Sequence, residues 1–213
     1  MAFVNTHEYG TFKKAFVITS SSSNSAEKIR LTADDWQQAA LDALSEGGLQ
    51  NIAIEMLAKG LGVTKGSFYW HYSSRDALIQ AALELWESQE QEQVFGKLDA
   101  LPNAQERLKA LVSLVANELK AHKIYSELLK AVDHPLVKPV LERVAKRRID
   151  YLTASFRQAG MPRMQALNRA RLTYAAYVGF LQMNMQLGLP KLNHDEFNHY
   201  VEHLVETLIP SSG

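Results

Sequence analysis

The feature that most constrains this chain lies between residues 54 and 78, IEMLAKGLGVTKGSFYWHYSSRDAL. Apolar residues recur at helical spacing from Ile54 to Leu61, so they predict a short helix that buries one face. Gly62 supplies the backbone freedom that a turn needs after this helix. Thr64 then stands where the N-cap of a second helix is wanted. The segment therefore predicts two short helices joined by a tight turn.

The second of these helices presents an exposed polar and aromatic face. Phe68 and Tyr72 are spaced to hold the helix against the rest of its domain. Its first-turn N–H groups favour a phosphate, and Gly66 lets the backbone approach one closely. Basic and aromatic side chains on this face can reach base edges, sugars or phosphates in a major groove. The pattern therefore predicts a helix-turn-helix DNA reader, with Thr64, Lys65, Gly66, Ser67, Tyr69, Trp70 and His71 as candidate contact residues.

The segment LAKGLGVTKGSFYWHYSSRDAL resembles the signature of the TetR family of bacterial transcription regulators. The shared elements are the Gly-Val turn, the Thr-Lys-Gly-Ser start of the second helix and the aromatic residues that follow it. The resemblance implies a recognition helix over residues 64–71, in which Tyr69 contacts phosphate. It also implies that Arg75, at the start of the next helix, holds the DNA backbone.

This chain departs from the family pattern just before the first helix of the motif. Ile52 and Ala53 stand where the family usually has Thr or Ser, whose hydroxyl groups cap that helix and touch phosphate. Asn51 is the nearest residue able to cap it. We therefore expect the helix to start slightly earlier, at Asn51.

Composition restricts how the chain can bind DNA. Its 23 basic residues equal its 23 acidic residues, so DNA binding must come from local placement of charge. The stretch from Lys59 to Arg75 contains no acidic residue, which provides such a placement.

The chain has no cysteine, which excludes disulfides and Cys-ligated zinc and favours a cytoplasmic location. No apolar run is long enough to predict a membrane span.

Hydrophobic periodicity predicts an all-α protein of about nine helices. Residues 1–27 are serine-rich toward their end and predict a flexible arm. Residues 28–78 predict a three-helix DNA-binding domain, whose first helix starts with Thr32 and Asp35 as a capping box. Residues 79–213 predict a helical domain that binds an effector and forms a homodimer. The dimer is expected to use the apolar face of the last helix, residues 197–208, together with the apolar C-terminal half of the preceding helix, which runs from about residue 163 to residue 187.

Two polar patterns outside the motif have ordinary interpretations. His199, Glu202 and His203 match the H-x-x-E-H pattern of a metal-dependent hydrolase, but a third ligand from well downstream is missing, so we expect the polar flank of a helix and no metal. Lys146, Arg147 and Arg148 could form a second nucleic-acid patch, but neighbouring acidic residues favour a solvated helix face.

Polar and aromatic residues lie among the apolar positions of the body helices. Each of them is most simply a core residue that makes one hydrogen bond. Together they are what a mainly apolar effector pocket with a few orienting groups would use. This candidate effector site comprises Trp86, Glu118, His122, Tyr125, Tyr151, Tyr174 and Tyr177.

These observations favour a dimeric, ligand-responsive repressor that binds a pseudo-palindromic double-stranded DNA operator. The expected effector is a mainly apolar small molecule, and no cofactor is expected. Two alternatives stay open at this point: a helical metal-dependent hydrolase, and an interaction protein of the same fold that binds a protein through residues 69–71.

Overall fold

The computed structural model describes residues 31–117 and 119–209, and these two ranges form helices without any strand. The predicted all-α class is therefore confirmed. The predicted arm, residues 1–27, lies outside the described residues. The helices are α1 Ala33–Gly47, α2 Ile54–Gly60, α3 Lys65–Phe68, α4 Arg75–Glu90, α5 Gly96–Asp99, α6 Ala104–Asn117, α7 Leu119–Lys130, α8 Val137–Gln158, α9 Arg163–Gln182 and α10 His194–Leu208.

Helices α4 and α5 form one continuous rod, because the π-helical turn Gln91–Phe95 joins them without a break. Counted in this way, the described ranges contain nine helices, as the sequence predicted. A second π-helical turn, Met183–Leu187, extends α9 at its C-terminal end. None of the helices described in these ranges is long and apolar enough to cross a membrane.

Helix α1 begins with the predicted capping box. The Thr32 hydroxyl oxygen accepts a hydrogen bond from the Asp35 backbone N–H at 3.3 Å, and the Thr32 N–H donates to the Asp35 carboxylate at 2.7 Å. These hydrogen bonds hold the pKa of Asp35 below its ordinary value. The helix ends at Gly48, whose φ of 78° favours glycine. The predicted start of α1 is therefore confirmed.

Helix α2 starts later than the sequence suggested. Residues Leu49–Asn51 form a single 3₁₀ turn, and Ala53 is the N-cap residue of α2 without any capping side chain. The Asn51 carbonyl accepts a hydrogen bond from the Ala53 N–H at 2.8 Å, so Asn51 belongs to the preceding turn. The prediction that Asn51 caps α2 is therefore wrong.

A first core joins the N-terminal helices to the body. Trp36 and Phe68 are completely buried, and their rings meet edge to face at 5.3 Å between centroids. The same core continues through Ile79 and Leu83 of α4 to residues of α7 and of the first half of α8, such as Leu128 and Val140. The three N-terminal helices therefore share their apolar interior with the helices that follow.

A second core lies further along the body. It contains Leu108 of α6, Leu152 and Phe156 of α8, Ala170 of α9 and Ile209 after α10. Helices α8 and α9 pack along each other and belong to both cores. The two cores leave a cavity between them, and the long helix α4 runs from the N-terminal helices to its edge.

Candidate DNA-binding surface and ligand cavity

Helix α3 is fixed to the first core by two aromatic residues. Phe68 is buried against Trp36, as the sequence predicted. The Tyr72 hydroxyl donates to the Ala33 carbonyl at 3.1 Å and accepts a hydrogen bond from the Gln37 amide at 2.8 Å. The α-helical hydrogen bonding of this segment ends at Phe68, and a tight turn carries the chain on to His71. The short helix therefore has a defined orientation without much length of its own.

The opposite side of this segment faces solvent. The exposed fractions of Tyr69 and Trp70 are 57% and 89%, which are large values for aromatic residues. Thr64, Lys65 and Gly66 are also exposed, whereas Ser67 and His71 are half-buried. Thr64 has the extended backbone of an N-cap residue, but its hydroxyl group makes no capping hydrogen bond. The Thr64 hydroxyl oxygen therefore does not contribute to the capping of α3.

Lys65 is held by an acidic residue of the preceding helix. Its ammonium group donates to the Glu55 carboxylate at 2.8 Å, and both side chains are exposed. This hydrogen bond lowers the pKa of Glu55 and raises the pKa of Lys65. An exposed pair of this kind adds little to stability. A phosphate that binds Lys65 has to compete with Glu55 for it.

Gly66 is not required by the packing of the described residues. A Cβ atom at this position would come near a single atom, the Thr64 hydroxyl oxygen, at 3.6 Å, which is an ordinary contact. Alanine is also better than glycine in a helix. The absence of a side chain therefore leaves space outside the chain, in front of the N-terminal turn of α3.

Arg75 makes hydrogen bonds within the chain. Its Nε donates to the Ile52 carbonyl at 2.7 Å, and its Nη2 donates to the Leu49 carbonyl. These two carbonyls belong to the turn between α1 and α2, so Arg75 joins that turn to the start of α4. The sequence missed this role because it depends on backbone atoms that lie more than 20 residues away along the chain. Contact of Arg75 with DNA stays a prediction.

A cavity of about 420 Å³ lies between the two cores. Its size falls in the range of small-molecule sites. Most of its wall is apolar or aromatic and comes from α6, α8, α9 and α10. These residues include Leu108, Leu111, Val112, Leu152, Phe156, Phe180, Phe197, Tyr200, Val201 and Leu204. Trp86 and Glu90 of α4 also line it, so the helix that follows the DNA-reading segment contributes directly to the cavity.

The structure brings four of the predicted effector residues to this cavity: Trp86, His122, Tyr174 and Tyr177. Tyr125 lies one layer behind the wall, where its buried ring is parallel to Tyr177 at 6.2 Å and its hydroxyl group is hydrogen-bonded to that of Tyr174. Tyr151 packs against Phe95, 4.7 Å between ring centroids, and does not line the cavity. Glu118 lies outside the described residues.

The sequence missed two charged residues of the cavity wall, Glu90 and Arg148. The Arg148 side chain is only 15% exposed, and its Nε donates to the Glu90 carboxylate at 2.6 Å. Its guanidinium carbon lies 4.3 Å from the centre of the Tyr125 ring and 5.7 Å from that of Tyr177. Burial opposes this charge, but Glu90 and the tyrosines favour it, and the pKa of Arg148 is raised.

The interpretation of residues 146–148 as a solvated face is therefore wrong for Arg148. The sequence contains a signal that could have revealed it, because Arg148 is four residues after Val144 and four before Leu152, on the buried stripe of α8. Lys146, by contrast, is exposed and pairs with Asp150 at 2.6 Å.

Ion pairs connect α4 to α8 around this arginine. Glu87 binds Arg143 at 2.7 Å and Arg147 at 3.0 Å, and Glu90 binds Arg147 at 3.3 Å in addition to Arg148. The hydrogen bond from Arg143 holds the pKa of Glu87 below its ordinary value. Because both glutamates are largely buried, loss of one partner would leave a costly unpaired charge.

The apolar face of α10 is occupied within its own chain. Phe197, Tyr200, Val201 and Leu204 line the cavity, and Leu208 is buried. The expectation that this face pairs with a second copy is therefore not supported by its position. The other part of the expected interface, on the helix before α10, is exposed: Leu172 of α9 and Met183 of the π-helical turn that extends it are 58% and 49% exposed.

The histidine pattern of α10 does not form a metal site in the described residues. His199 and Glu202 are exposed and 3.4 Å apart, and no group of three metal-binding side chains is found between residues 31 and 209 outside position 118. The three residues lie on the polar side of the helix.

Comparisons with known proteins point to one family. Residues 38–82 match the model described as bacterial regulatory proteins, tetR family. The chain is 27% identical over 180 residues to the HTH-type transcriptional regulator BetI of Escherichia coli strain K12, a match that covers 81% of this chain and 91% of the relative.

Solved structures share the fold over most of the chain. A transcriptional regulator from Saccharomonospora viridis, in complex with choline, has a TM-score of 0.73 and 17% identity and covers 83% of this chain and 96% of its own. AibR, in complex with isovaleryl coenzyme A and operator DNA, has a TM-score of 0.61 and 18% identity. The match covers 84% of this chain and 98% of AibR. At these identities the likeness shows the fold alone.

Substitution of Arg75 tests its internal role. We expect Arg75→Met to lower the free energy of unfolding by about 2 kcal/mol, because two charge-assisted hydrogen bonds to backbone carbonyls are lost. Urea unfolding followed by circular dichroism measures this change. Arg75→Lys is the matched control, since it keeps the positive charge but cannot span both carbonyls. If both variants are as stable as the wild type and only Arg75→Met binds DNA weakly, the principal role of Arg75 is contact with phosphate.

Proposed function

We infer that this chain is a regulator of the TetR family of bacterial regulatory proteins, a ligand-responsive repressor that binds operator DNA as a homodimer. The observation that carries this inference is the exposed face of α3, anchored by Phe68 and connected through α4 to a ligand-sized cavity. The comparisons, which match transcriptional regulators, do not favour the hydrolase alternative.

The proposed DNA contacts come from the residues in front of α3. The helix N-terminus offers free N–H groups to a phosphate, and Gly66 leaves space for its approach. Lys65, Tyr69 and Trp70 are exposed beside that site and supply a charge and two flat apolar surfaces. Thr64 and Ser67 contribute hydroxyl groups, and His71 lies at the edge of the same surface. Arg75 acts behind this surface by supporting the turn before α2.

The pair formed by Lys65 and Glu55 provides a test with opposite expected signs. Lys65→Ala should weaken binding to an operator selected from a random DNA pool about tenfold. It should also reduce the salt dependence of the binding constant by an amount that corresponds to about one lost phosphate contact. Glu55→Gln should strengthen binding, because it frees Lys65 without changing the shape of α2. Fluorescence anisotropy at two salt concentrations measures both effects.

Two further variants control this experiment. Lys109→Ala removes an exposed lysine from α6 and should leave DNA affinity unchanged. Gly66→Ala should preserve stability, because the space at this position is open within the chain, but should weaken DNA binding by obstructing the phosphate. Equal affinity of Lys65→Ala, Glu55→Gln and the wild type would contradict the proposed surface.

The proposed dimer uses the exposed stripe of α9, which comprises Met164, Leu172, Ala175, Gly179, Met183 and Leu187. From Leu172 to Leu187 they recur every three or four residues, and Met164 lies eight residues before Leu172, so they share one side of the helix. Ala175 and Gly179 lie between large apolar residues, so a second helix can approach closely there. A second copy of the chain is the proposed occupant, because two recognition helices about one DNA turn apart are needed to read a pseudo-palindromic operator.

Light scattering tests this interface. The wild type should have twice the chain mass of 23.9 kDa, and Leu172→Glu should approach the monomer mass because it buries a charge at the centre of the stripe. Val132→Glu is the control, since Val132 is 42% exposed and lies outside α9. A dimeric Leu172→Glu protein that binds its operator normally would place the interface elsewhere.

The proposed effector site is the cavity beside Trp86. The relatives of known structure hold choline and isovaleryl coenzyme A, so proteins of this fold accept chemically different ligands. A ligand in this cavity would touch α4 through Trp86 and Glu90, and it would release DNA by favouring a dimer in which the two heads no longer match the operator.

Tyr177→Ala tests the location of this site. A metabolite panel that includes choline is screened for compounds that raise the melting temperature and release the operator. We expect each active compound to lose about tenfold in potency in this variant, because Tyr177 forms part of the wall. Glu142→Ala, on the exposed side of α8, should keep the wild-type response. Unchanged potency in Tyr177→Ala would show that effectors bind outside this cavity.

A further inference from the structure

The cavity wall includes one buried ion pair, formed by Glu90 and Arg148. Oε1 of Glu90 accepts a hydrogen bond from Nε of Arg148 and lies 2.5 Å from its Nη2, while Nη1 of Arg148 is buried without a hydrogen-bond acceptor among the described residues. The rest of the wall is mostly aromatic or aliphatic, but it also contains Lys120 and polar residues such as Gln38, Gln89, Gln93, His122 and Thr173. A ligand that enters the cavity therefore meets a guanidinium group whose hydrogen-bonding capacity is not fully used.

The charges around this pair are not balanced by direct contacts. Two carboxylates of α4, those of Glu87 and Glu90, bind three guanidinium groups of α8, those of Arg143, Arg147 and Arg148. The other charged residues nearby do not alter this difference at the wall. Glu84 is exposed and acts on Arg143 without direct contact, and Lys120 is neutralised by Asp42 at the edge of the cavity.

A cationic ligand is disfavoured in this environment. The Tyr177 ring of the cavity wall already lies against the guanidinium group of Arg148, as does the Tyr125 ring behind it. An added positive charge would increase an existing excess at low dielectric constant. A negative charge would balance that excess.

We propose that the effector is an organic anion, with an apolar body and one carboxylate group that replaces the Glu90 carboxylate on Arg148. This inference depends on the proposed effector cavity and adds the chemical class of its ligand. The apolar body occupies the space between Phe180, Phe197 and Leu204. The carboxylate forms two hydrogen bonds with the fork of Arg148.

The exchange of one carboxylate for another has a low cost here. Glu90 already accepts a hydrogen bond from Nη2 of Arg147 at 3.3 Å, so it keeps a cationic partner when Arg148 turns to the ligand. The cluster then contains three carboxylates and three guanidinium groups. Because Glu90 is the last residue of α4, its release from Arg148 changes a contact that connects α4 to the body.

The test uses compounds that share one chain and differ in charge. Octanoate, octan-1-ol and octylammonium are titrated by calorimetry into the full-length protein, with choline as a cation of different shape. We expect octanoate to bind at least tenfold more tightly than the other three and to release operator DNA. Octanoate that fails to bind, or that binds no better than the alcohol or either cation, contradicts the proposal.

Two substitutions separate direct recognition from general disturbance of the fold. Glu90→Gln should strengthen octanoate binding about tenfold, because the ligand no longer competes with an internal carboxylate, whereas a merely structural role would give weaker binding. Arg148→Met should remove the preference for octanoate over octan-1-ol. Weaker octanoate binding in Glu90→Gln overturns the proposal even if Arg148→Met does not fold.

The same titrations in Tyr177→Ala distinguish this inference from the proposed function. If the alcohol or a cation binds in a Tyr177-dependent manner and releases DNA while octanoate does not, the effector cavity stands and the anion proposal fails. If none of the four compounds depends on Tyr177 for binding, the cavity itself is not the effector site.

Discussion

The contact on which the two halves of this molecule depend is the set of ion pairs between α4 and α8. Glu87 and Glu90 are largely buried, and a buried carboxylate is tolerated only with its partners in place. The arginines of α8 therefore fix the position of the last two turns of α4. Since α4 begins directly after the DNA-reading segment, the same pairs also limit where that segment can lie.

Apolar packing makes this constraint effective at the other end of α4. Ile79 and Leu83 belong to the core that contains Trp36 and Phe68, so α4 cannot shift without the N-terminal helices. This core also includes residues of α7 and α8. The molecule therefore consists of two packed regions that share α8 and α9, with α4 in the first region and the cavity beside the C-terminal half of α4.

The sequence predicted the DNA-reading domain well because its signals are local. The capping box at Thr32, the turn at Gly62 and the buried position of Phe68 each depend on neighbours within a few residues. The prediction that Asn51 caps α2 was wrong because Asn51 belongs to a 3₁₀ turn. Arg75, which is far from this turn in sequence, stabilises it through a hydrogen bond to the Leu49 carbonyl. A bond of that kind leaves no periodic pattern in the sequence.

The cavity was predicted in part. Aromatic residues on helical stripes indicated a pocket, and Trp86, His122, Tyr174 and Tyr177 do line it. Tyr125 and Tyr151 share the same stripes, and sequence periodicity cannot distinguish a wall from the layer behind it. Arg148 was missed because three consecutive basic residues suggest a solvent-exposed surface. Its position on the buried stripe of α8 nevertheless places its side chain in the interior of the protein.

The length of α4 gives small movements at the cavity a large reach. Its 16 residues span about 24 Å at ~1.5 Å per residue, so a tilt of about 5° about Glu90 moves its first turn by about 2 Å. In a symmetric pair of subunits the two displacements add to about 4 Å, which exceeds the ~3.4 Å rise of one base pair. In the proposed dimer, a tilt of this size would convert the exchange of one hydrogen-bond partner into the loss of register with a DNA groove.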